Sequence, residues 1–460
     1  MSLTVRLKNI GILKQAEFSL GDLTVICGEN NTGKTYAACA LYGFLKSWHQ
    51  FIRFPISNAQ IQQARTEPVK IELSQATDDM LTKACKKYTE QLHKIFAAPE
   101  DSFQDSEFRL ETDETDIENK RFNSILTSLQ NPAFIFSKSE GSKEAILTAR
   151  IEEEQEREID TDSVKSAIDF IIIDDIFSGS LPRPFIASAE RTGISTFRKE
   201  LNFARSRLLK EMAGTDKDID PRQLLSKGYQ RYPSSIEADV DFMGQLQDVA
   251  KNKSFIAKEH PEILDDFTDI VGGTYAITQN DLIYYIPKGT KSRLTMDQSS
   301  SAARSLLDLN FYLHCAAEKG DLLMVDEPEL SLHPENQRRI ARLFARLANL
   351  GIKVFITTHS DYIIKELNTL IMLNHDKPHL KRVAEENGYQ DSELISVDQV
   401  KVYIAEKALL PLEEGQKRRK RGHTLVPANI DPDFGIEVGS FDKTIDAMNK
   451  IQRDIVWGAK

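Results

Sequence analysis

An α/β fold built around a phosphate-binding turn is what this sequence predicts, and three observations carry the prediction. The apolar run Leu23–Cys27 reads as a buried strand and leads straight into Gly28-Glu29-Asn30-Asn31-Thr32-Gly33-Lys34-Thr35. A second apolar run, Leu322–Val325, ends on the paired carboxylates Asp326 and Glu327. A third, Lys353–Thr357, follows a helix-spaced segment and ends at Thr358-His359-Ser360. In open α/β sheets ligands bind outside the carboxyl ends of the strands, where these residues fall.

The elements follow in order. Val5 and Leu7 alternate with polar neighbours, Asn9 and Gly11 mark a turn, and Phe18 and Leu20 complete a hairpin that feeds the core strand Leu23–Cys27. From Lys34 to Leu45 a helix is expected, because Ala37, Ala38, Ala40, Leu41 and Phe44 occur without a proline. From residue 46 to 274 the pattern is mixed, with a strand candidate at Phe134–Ser137 and an acidic run at Glu152–Glu158. This reads as a large, mostly helical insertion, and the absence of sustained heptads makes it compact rather than a long coiled coil. Within it, Pro184–Ser188 reads as a strand where the chain touches the core again.

From Tyr275 alternation returns, with Tyr275 and Ile277, a turn at Asn280 and Asp281, then Ile283–Ile286 and Leu294–Met296. These are expected to be sheet strands returning to the head. A helix opens at Ser299, Ser300 and Ser301, residues that cap helices well, and runs through Ala302–Cys315. Ile340, Leu343, Phe344, Leu347 and Leu350 have helical spacing and end at Gly351, completing a βαβ-like unit between the second and third apolar runs. The expected division is a head of residues 1–45 and 275–400, an insertion of residues 46–274, and a C-terminal segment of residues 401–460.

The 460 residues are 40% apolar and 28% charged, enough for a large core. With 59 basic and 70 acidic side chains the net charge is −11, which excludes a protein that coats nucleic acid through its overall field. Cys27, Cys39, Cys85 and Cys315 show no CxxC spacing, and the chain opens on a polar stretch, so a reducing cytoplasm is the expected compartment. No run approaches the roughly 20 apolar residues of a membrane span, and no membrane partner is expected.

Gly28 to Thr35 fits G-x-x-x-x-G-K-[ST] between a strand and a helix, the context that motif requires. Glycines at Gly28 and Gly33 let the backbone close on phosphate oxygens, and the intervening Asn30, Asn31 and Thr32 line the turn. Lys34 would reach the β and γ phosphates and Thr35 would ligate magnesium. Asp326 can hold the same metal, and Glu327 can activate water. His359 can hydrogen-bond the γ phosphate and the attacking water, or be an ordinary strand-end histidine. A rival carboxylate pair, Asp174 and Asp175, follows Phe170-Ile-Ile-Ile but lacks the segment that follows Glu327.

GENNTGKT, the DEPELSLHP segment from Asp326 to Pro334, and TTHS resemble the Walker A, Walker B with D-loop, and switch-histidine motifs of SMC, RecF and OLD-type ABC ATPases. The resemblance covers residues 1–45 and 275–370. It implies ATP and Mg2+ as ligands, and homodimers or higher homo-oligomers in which a signature helix of one head caps the γ phosphate held by another. By that resemblance Ser299, Ser300 and Ser301 form the signature, although a plain helix cap explains them as well. The family's signature glycines are replaced by Ser301 and Ala302, and Asn31 replaces a Walker A glycine, so hydrolysis is expected to be slow or absent.

The roughly 100 residues after His359 show no acidic constellation like the Toprim nuclease of OLD proteins, so no intrinsic nuclease is expected. A stand-alone head with a mid-sized insertion resembles the ATPase components of bacterial anti-phage systems, the PtuA family of Septu and, less closely, the AriA family of PARIS. That resemblance implies control of a separate nuclease, HNH-type and PtuB-like if the PtuA likeness holds. The alternatives are a RecF-like repair ATPase that binds DNA directly and, disfavoured by the insertion, a transporter subunit. Arg191 could contact phosphate or a second head, or form a surface ion pair. Lys417, Arg418, Arg419, Lys420 and Arg421 could contact DNA, RNA or an acidic partner, or be a solvated loop.

Overall fold

A computed structural model of the chain describes residues 3–52, 54, 56–73, 77–112, 121–128, 131–150, 161–177, 180–201, 232–411, 419–436 and 447–455. Nine strands form the central sheet: β1 (Leu3–Ile10), β2 (Leu13–Ser19), β3 (Leu23–Cys27), β4 (Glu107–Thr112), β5 (Pro184–Ala187), β6 (Leu322–Asp326), β7 (Lys353–Thr358), β8 (Val400–Pro411) and β9 (Arg419–Pro427). Their order is β4-β1-β2-β9-β8-β3-β7-β6-β5. The half from β8 to β5 is parallel throughout, while β1, β2 and β4 pair antiparallel.

The parallel half explains the unbroken apolar runs, since its strands are covered on both faces. In β3, Ile26 joins the core under α1 (Lys34–Ser47), whereas Leu23, Val25 and Cys27 join the opposite core. Ala37, Ala40, Leu41 and Phe44 of α1 fill the first core. Leu343, Phe344 and Leu347 of the helix Pro334–Asn349, with Ile363 and Leu367 of the helix Asp361–Leu373, fill the second.

The sheet crosses the boundaries drawn from sequence. Residues 46–274 carry β4, β5 and a four-stranded antiparallel sheet of Val69–Glu72, Glu144–Arg150, Asn131–Lys138 and Phe122–Ser128 in that order, as well as helices. β4 covers the free edge of β1, with Phe108 and Leu110 buried, which closes an edge that would otherwise invite pairing. Pro184–Ala187 does touch the core, pairing parallel with β6. The C-terminal segment is not separate either, because β8 and β9 lie between β3 and β2.

One further expectation is corrected, and the rival carboxylate pair finds its place. Gly273–Ile277, Ile283–Pro287 and Leu294–Thr295 form their own three-stranded antiparallel sheet and do not join the central one. The Phe170-to-Asp175 run lies in the helix Thr161–Phe177, where Ile172, Ile173 and Ile176 are buried and Asp174 Oδ1 lies 3.6 Å from His49 Nε2. A short apolar run satisfies a buried helix face as well as a buried strand, and length decides here for helix. Among the described residues no helix is long and apolar enough to cross a membrane.

Candidate functional site

The phosphate-binding turn follows β3 and opens into α1, which begins at Lys34. Gly28 has φ 142°, and a Cβ there would sit 2.6 Å from the Ala405 carbonyl of β8, so only glycine fits. Gly33 caps α1 at φ 102°, where a Cβ would strike Leu13. Asn31, at the place of the expected third glycine, adopts φ 60°, a left-handed conformation that asparagine tolerates better than most residues. Thr32 Oγ1 donates to the Glu29 carbonyl at 2.7 Å and closes the turn. Lys34 is buried, and its Nζ donates to the carbonyls of Gly28 (3.0 Å) and Glu29 (2.9 Å). Burial lowers its pKa, against the opposing pull of Glu327, Asp326 and Glu329.

Strand register brings the other motifs to this turn. β6 and β7 are parallel with Asp326 beside Thr357, and β7 lies next to β3 with Thr358 beside Cys27. Thr35 Oγ1 donates to Asp326 Oδ2 at 3.0 Å, and the Thr357 hydroxyl donates to Oδ1 of the same carboxylate. An alcohol and a carboxylate this close offer the oxygen donors that magnesium takes while keeping several waters. Glu327 follows with φ 51°, a strained conformation for a non-glycine residue, its N–H donating to Thr357 O at 3.0 Å. Its side chain is 24% exposed, and burial raises its pKa, with Asp326 and Glu329 adding and His359 and Lys34 opposing.

His359 ends this arrangement, 41% exposed, with Nδ1 at 3.7 Å from Glu327 Oε1 and 3.2 Å from Glu329 Oε1. Glu329 is a residue that sequence reading passed over, since an acid in a Pro-Glu-Leu turn carries no motif of its own. It is buried, and its Oε1 also accepts from Thr358 Oγ1 at 2.9 Å and from the His359 N–H at 2.7 Å.

Arg191 overturns both sequence expectations for it. It is fully buried at the start of the helix Arg191–Thr196, so it is neither an exposed phosphate contact nor a surface ion pair. Nε donates to Ser305 O (2.9 Å), Nη1 to Ser188 O (2.8 Å) and Asp326 O (2.6 Å), and Nη2 to Glu327 O (2.8 Å). The fork of the guanidinium thus ties the carboxylate turn to the helix after the serine run. Behind it lie two buried acids, Asp239 and Asp308. Burial pushes Asp239 well up and Asp308 up to about 6, with the Arg191 charge opposing both shifts.

The serine run opens a short helix, Ser301–Ser305, as the capping rule anticipates. Ser300 is the cap, its Oγ accepting from Ala303 N at 3.1 Å, while the buried Ser299 donates to Met296 O at 2.7 Å. Ser301 is exposed, 3.3 Å from an Arg304 nitrogen. Of the basic block, Lys417 and Arg418 lie outside the described residues. Arg419, Lys420 and Arg421 begin β9, against the solvated-loop reading of the block, with Lys420 and Arg421 exposed. β8 runs on past the end of β3, from Ala405 to Pro411, so the β8–β9 ribbon projects from the sheet end that carries the phosphate-binding turn.

A family model described as AAA ATPase domain, AAA_15, matches residues 1–364. Similar solved structures include the SMC head bound to the C-winged helix domain of ScpA, at 10% identity over 92% of this chain and 97% of that one, with a TM-score of 0.35. The Smc head domain with an extended coiled coil bound to the C-terminal domain of ScpA, derived from Pyrococcus furiosus, aligns at 12% identity over 98% and 100%, with a TM-score of 0.33. The SMC head domain from Thermotoga maritima aligns at 9% identity over 94% and 100%, with a TM-score of 0.29. No curated protein matches the chain. With a P-loop, a carboxylate strand and a histidine strand side by side, and a family match over most of its length, this chain belongs to the AAA ATPase domain family AAA_15.

Proposed function

We propose that the chain binds ATP with magnesium, associates head to head with a second copy, and by slow hydrolysis controls a separate nuclease in cytoplasmic anti-phage defence. The observation that carries the nucleotide part is the convergence of Lys34, Thr35, Asp326, Glu327 and His359 on one turn. Thr35 and Asp326 would hold magnesium, which would draw charge from the phosphate oxygens. Lys34 supplies the cation for the β and γ phosphates, exchanging its two backbone carbonyls for phosphate oxygens. Glu327, partly exposed, takes a proton from water, and His359 orients that water and the γ phosphate. Ser301, exposed at a helix start, would face the nucleotide of the second copy.

Nuclease control rests on the likeness to PtuA-type ATPases, and the test is direct. The purified chain with magnesium or manganese should leave DNA intact, and cleavage should appear only with a co-encoded nuclease of HNH type bound. Nuclease activity that copurifies with the chain and disappears on mutating it would move the protein to the OLD-like class.

The β8–β9 ribbon favours a second reading, a RecF-like ATPase that holds DNA itself. Among its described residues Lys407, Lys420 and Arg421 are exposed, against one acid, Glu406. Duplex binding by the chain alone that weakens steeply with salt, and weakens further when Lys420 and Arg421 become Gln, would support this reading over the first.

A further inference from the structure

We infer that Glu329 is a positioning residue that holds His359 in the tautomer with its proton on Nδ1, leaving Nε2 as the working nitrogen. The inference rests on the reading of His359 as a group acting at the γ phosphate.

Burying a carboxylate is costly unless donors surround it. Glu329, with its side chain 5% exposed, has them on one oxygen: Thr358 Oγ1 at 2.9 Å and the His359 N–H at 2.7 Å, and the ring Nδ1 lies 3.2 Å from the same oxygen. All three belong to the two residues that end the histidine strand, so the acid grips the main chain and the ring of His359 together. Its second oxygen, Oε2, has no hydrogen-bond partner among the described residues. A single oxygen therefore carries the whole attachment.

An ionised carboxylate only accepts, and two acceptors 3.2 Å apart repel, so this contact favours the hydrogen on Nδ1. Nε2 is then free to meet a water or a phosphate oxygen. Glu327 lies farther from the same Nδ1, at 3.7 Å, and is 24% exposed. The two acids thus divide the work: the buried one orients the ring and the accessible one remains for the water. Carboxylate partners fix histidine tautomers in this way at metal sites, where losing one costs activity about tenfold or more.

Glu329→Met separates orientation from bulk. The thioether keeps the length of the side chain but removes the carboxylate beside Nδ1, so nothing holds the hydrogen there, whereas the amide oxygen of Glu329→Gln can take the place of Oε1 with all of its contacts. Nitrogen-15 NMR of histidine-labelled protein, with the His359 signals identified by their loss in His359→Asn, reads the tautomer without needing turnover. Wild type should show the proton on Nδ1, E329M should move it toward Nε2, and E329Q should keep the wild-type pattern at least in part. In ATP hydrolysis E329M should lower kcat about tenfold while KM stays within about twofold. A wild-type ring protonated on Nε2, or an E329M ring unchanged from wild type, would overturn the inference. So would an E329M that loses KM and thermal stability with its tautomer unmoved, since that is a merely structural role. Unchanged turnover in His359→Ala would instead overturn the reading of His359 itself, and the inference with it.

Discussion

Replacing Arg191 with methionine keeps the length of the side chain and removes its charge and every donor. The wild-type guanidinium is fully buried and serves four backbone carbonyls, those of Ser188, Ser305, Asp326 and Glu327. The Ser188 and Glu327 carbonyls keep a second donor, the Arg191 and Leu330 N–H groups, so the loss falls on the Ser305 and Asp326 carbonyls. Leaving a buried acceptor unpaired costs about 1–3 kcal/mol, which makes about 2 kcal/mol at the least for the two. The loss of the Arg191 charge that opposes the upward shifts of Asp239 and Asp308 acts in the same direction, and removing one member of a buried charged group typically costs about 3–5 kcal/mol. Taken together, a loss of about 3–5 kcal/mol is expected, a large share of the roughly 5–15 kcal/mol that holds a typical domain. Urea unfolding followed by the fluorescence of the two tryptophans measures it. Because Nη2 also helps to hold Glu327 at φ 51°, kcat for ATP should fall more than nucleotide affinity does. Arg191→Lys, with one ammonium in place of a fork, should be intermediate in both. A stability loss below about 1 kcal/mol, or lost ATP affinity with full stability, would refute the strut and return Arg191 to the role of a phosphate contact.

Other substitutions probe the remaining parts. Lys34→Ala should abolish ATP binding in calorimetry with magnesium, because among the described residues Lys34 is the side-chain cation that bonds the turn's two carbonyls; wild-type affinity would refute the site. Glu327→Gln should keep binding and stop turnover, since an amide cannot take the water's proton; unchanged turnover would remove Glu327 as the base. Bulky residues at Ser300 and Ser301 should weaken ATP-dependent association in ultracentrifugation without weakening ATP binding to a single head, and equal loss of both would count against the sandwich. Asp308→Asn concerns pH. Burial lifts this acid from 3.8 to about 6, so in that window the native state binds more protons than the unfolded chain and stability falls as pH rises. The asparagine variant should therefore be more stable than wild type at pH 7, by up to about 3 kcal/mol, with the gap closing below about pH 4. A gap that does not change with pH would show that Asp308 is not the titrating group.

The legible part of the site was the part written in contiguous residues. Gly28 to Thr35, Asp326 with Glu327, and His359 each sit where a strand turns into its connection, and apolar runs flanking a turn can be read without knowing the neighbours. Asn31 shows the same from the other side, since its departure from glycine is answered locally by a left-handed backbone that asparagine accepts. The rest depended on distance along the chain. Phe170-Ile-Ile-Ile-Asp174-Asp175 suits a strand or a helix equally well until its length and packing are known.

By itself, then, the sequence located the candidate site, with its turn, carboxylates and histidine, because each depends on a strand end and a few adjacent residues. Only the tertiary structure decided what holds them. It set Arg191 against Glu327 across 136 positions, laid Glu329 under His359 across 30, and slid β8 and β9 between β3 and β2. Such pairings come from strand register and from buried polar groups seeking partners. Both are satisfied by whichever distant segment arrives in space, and local periodicity does not record which one it will be.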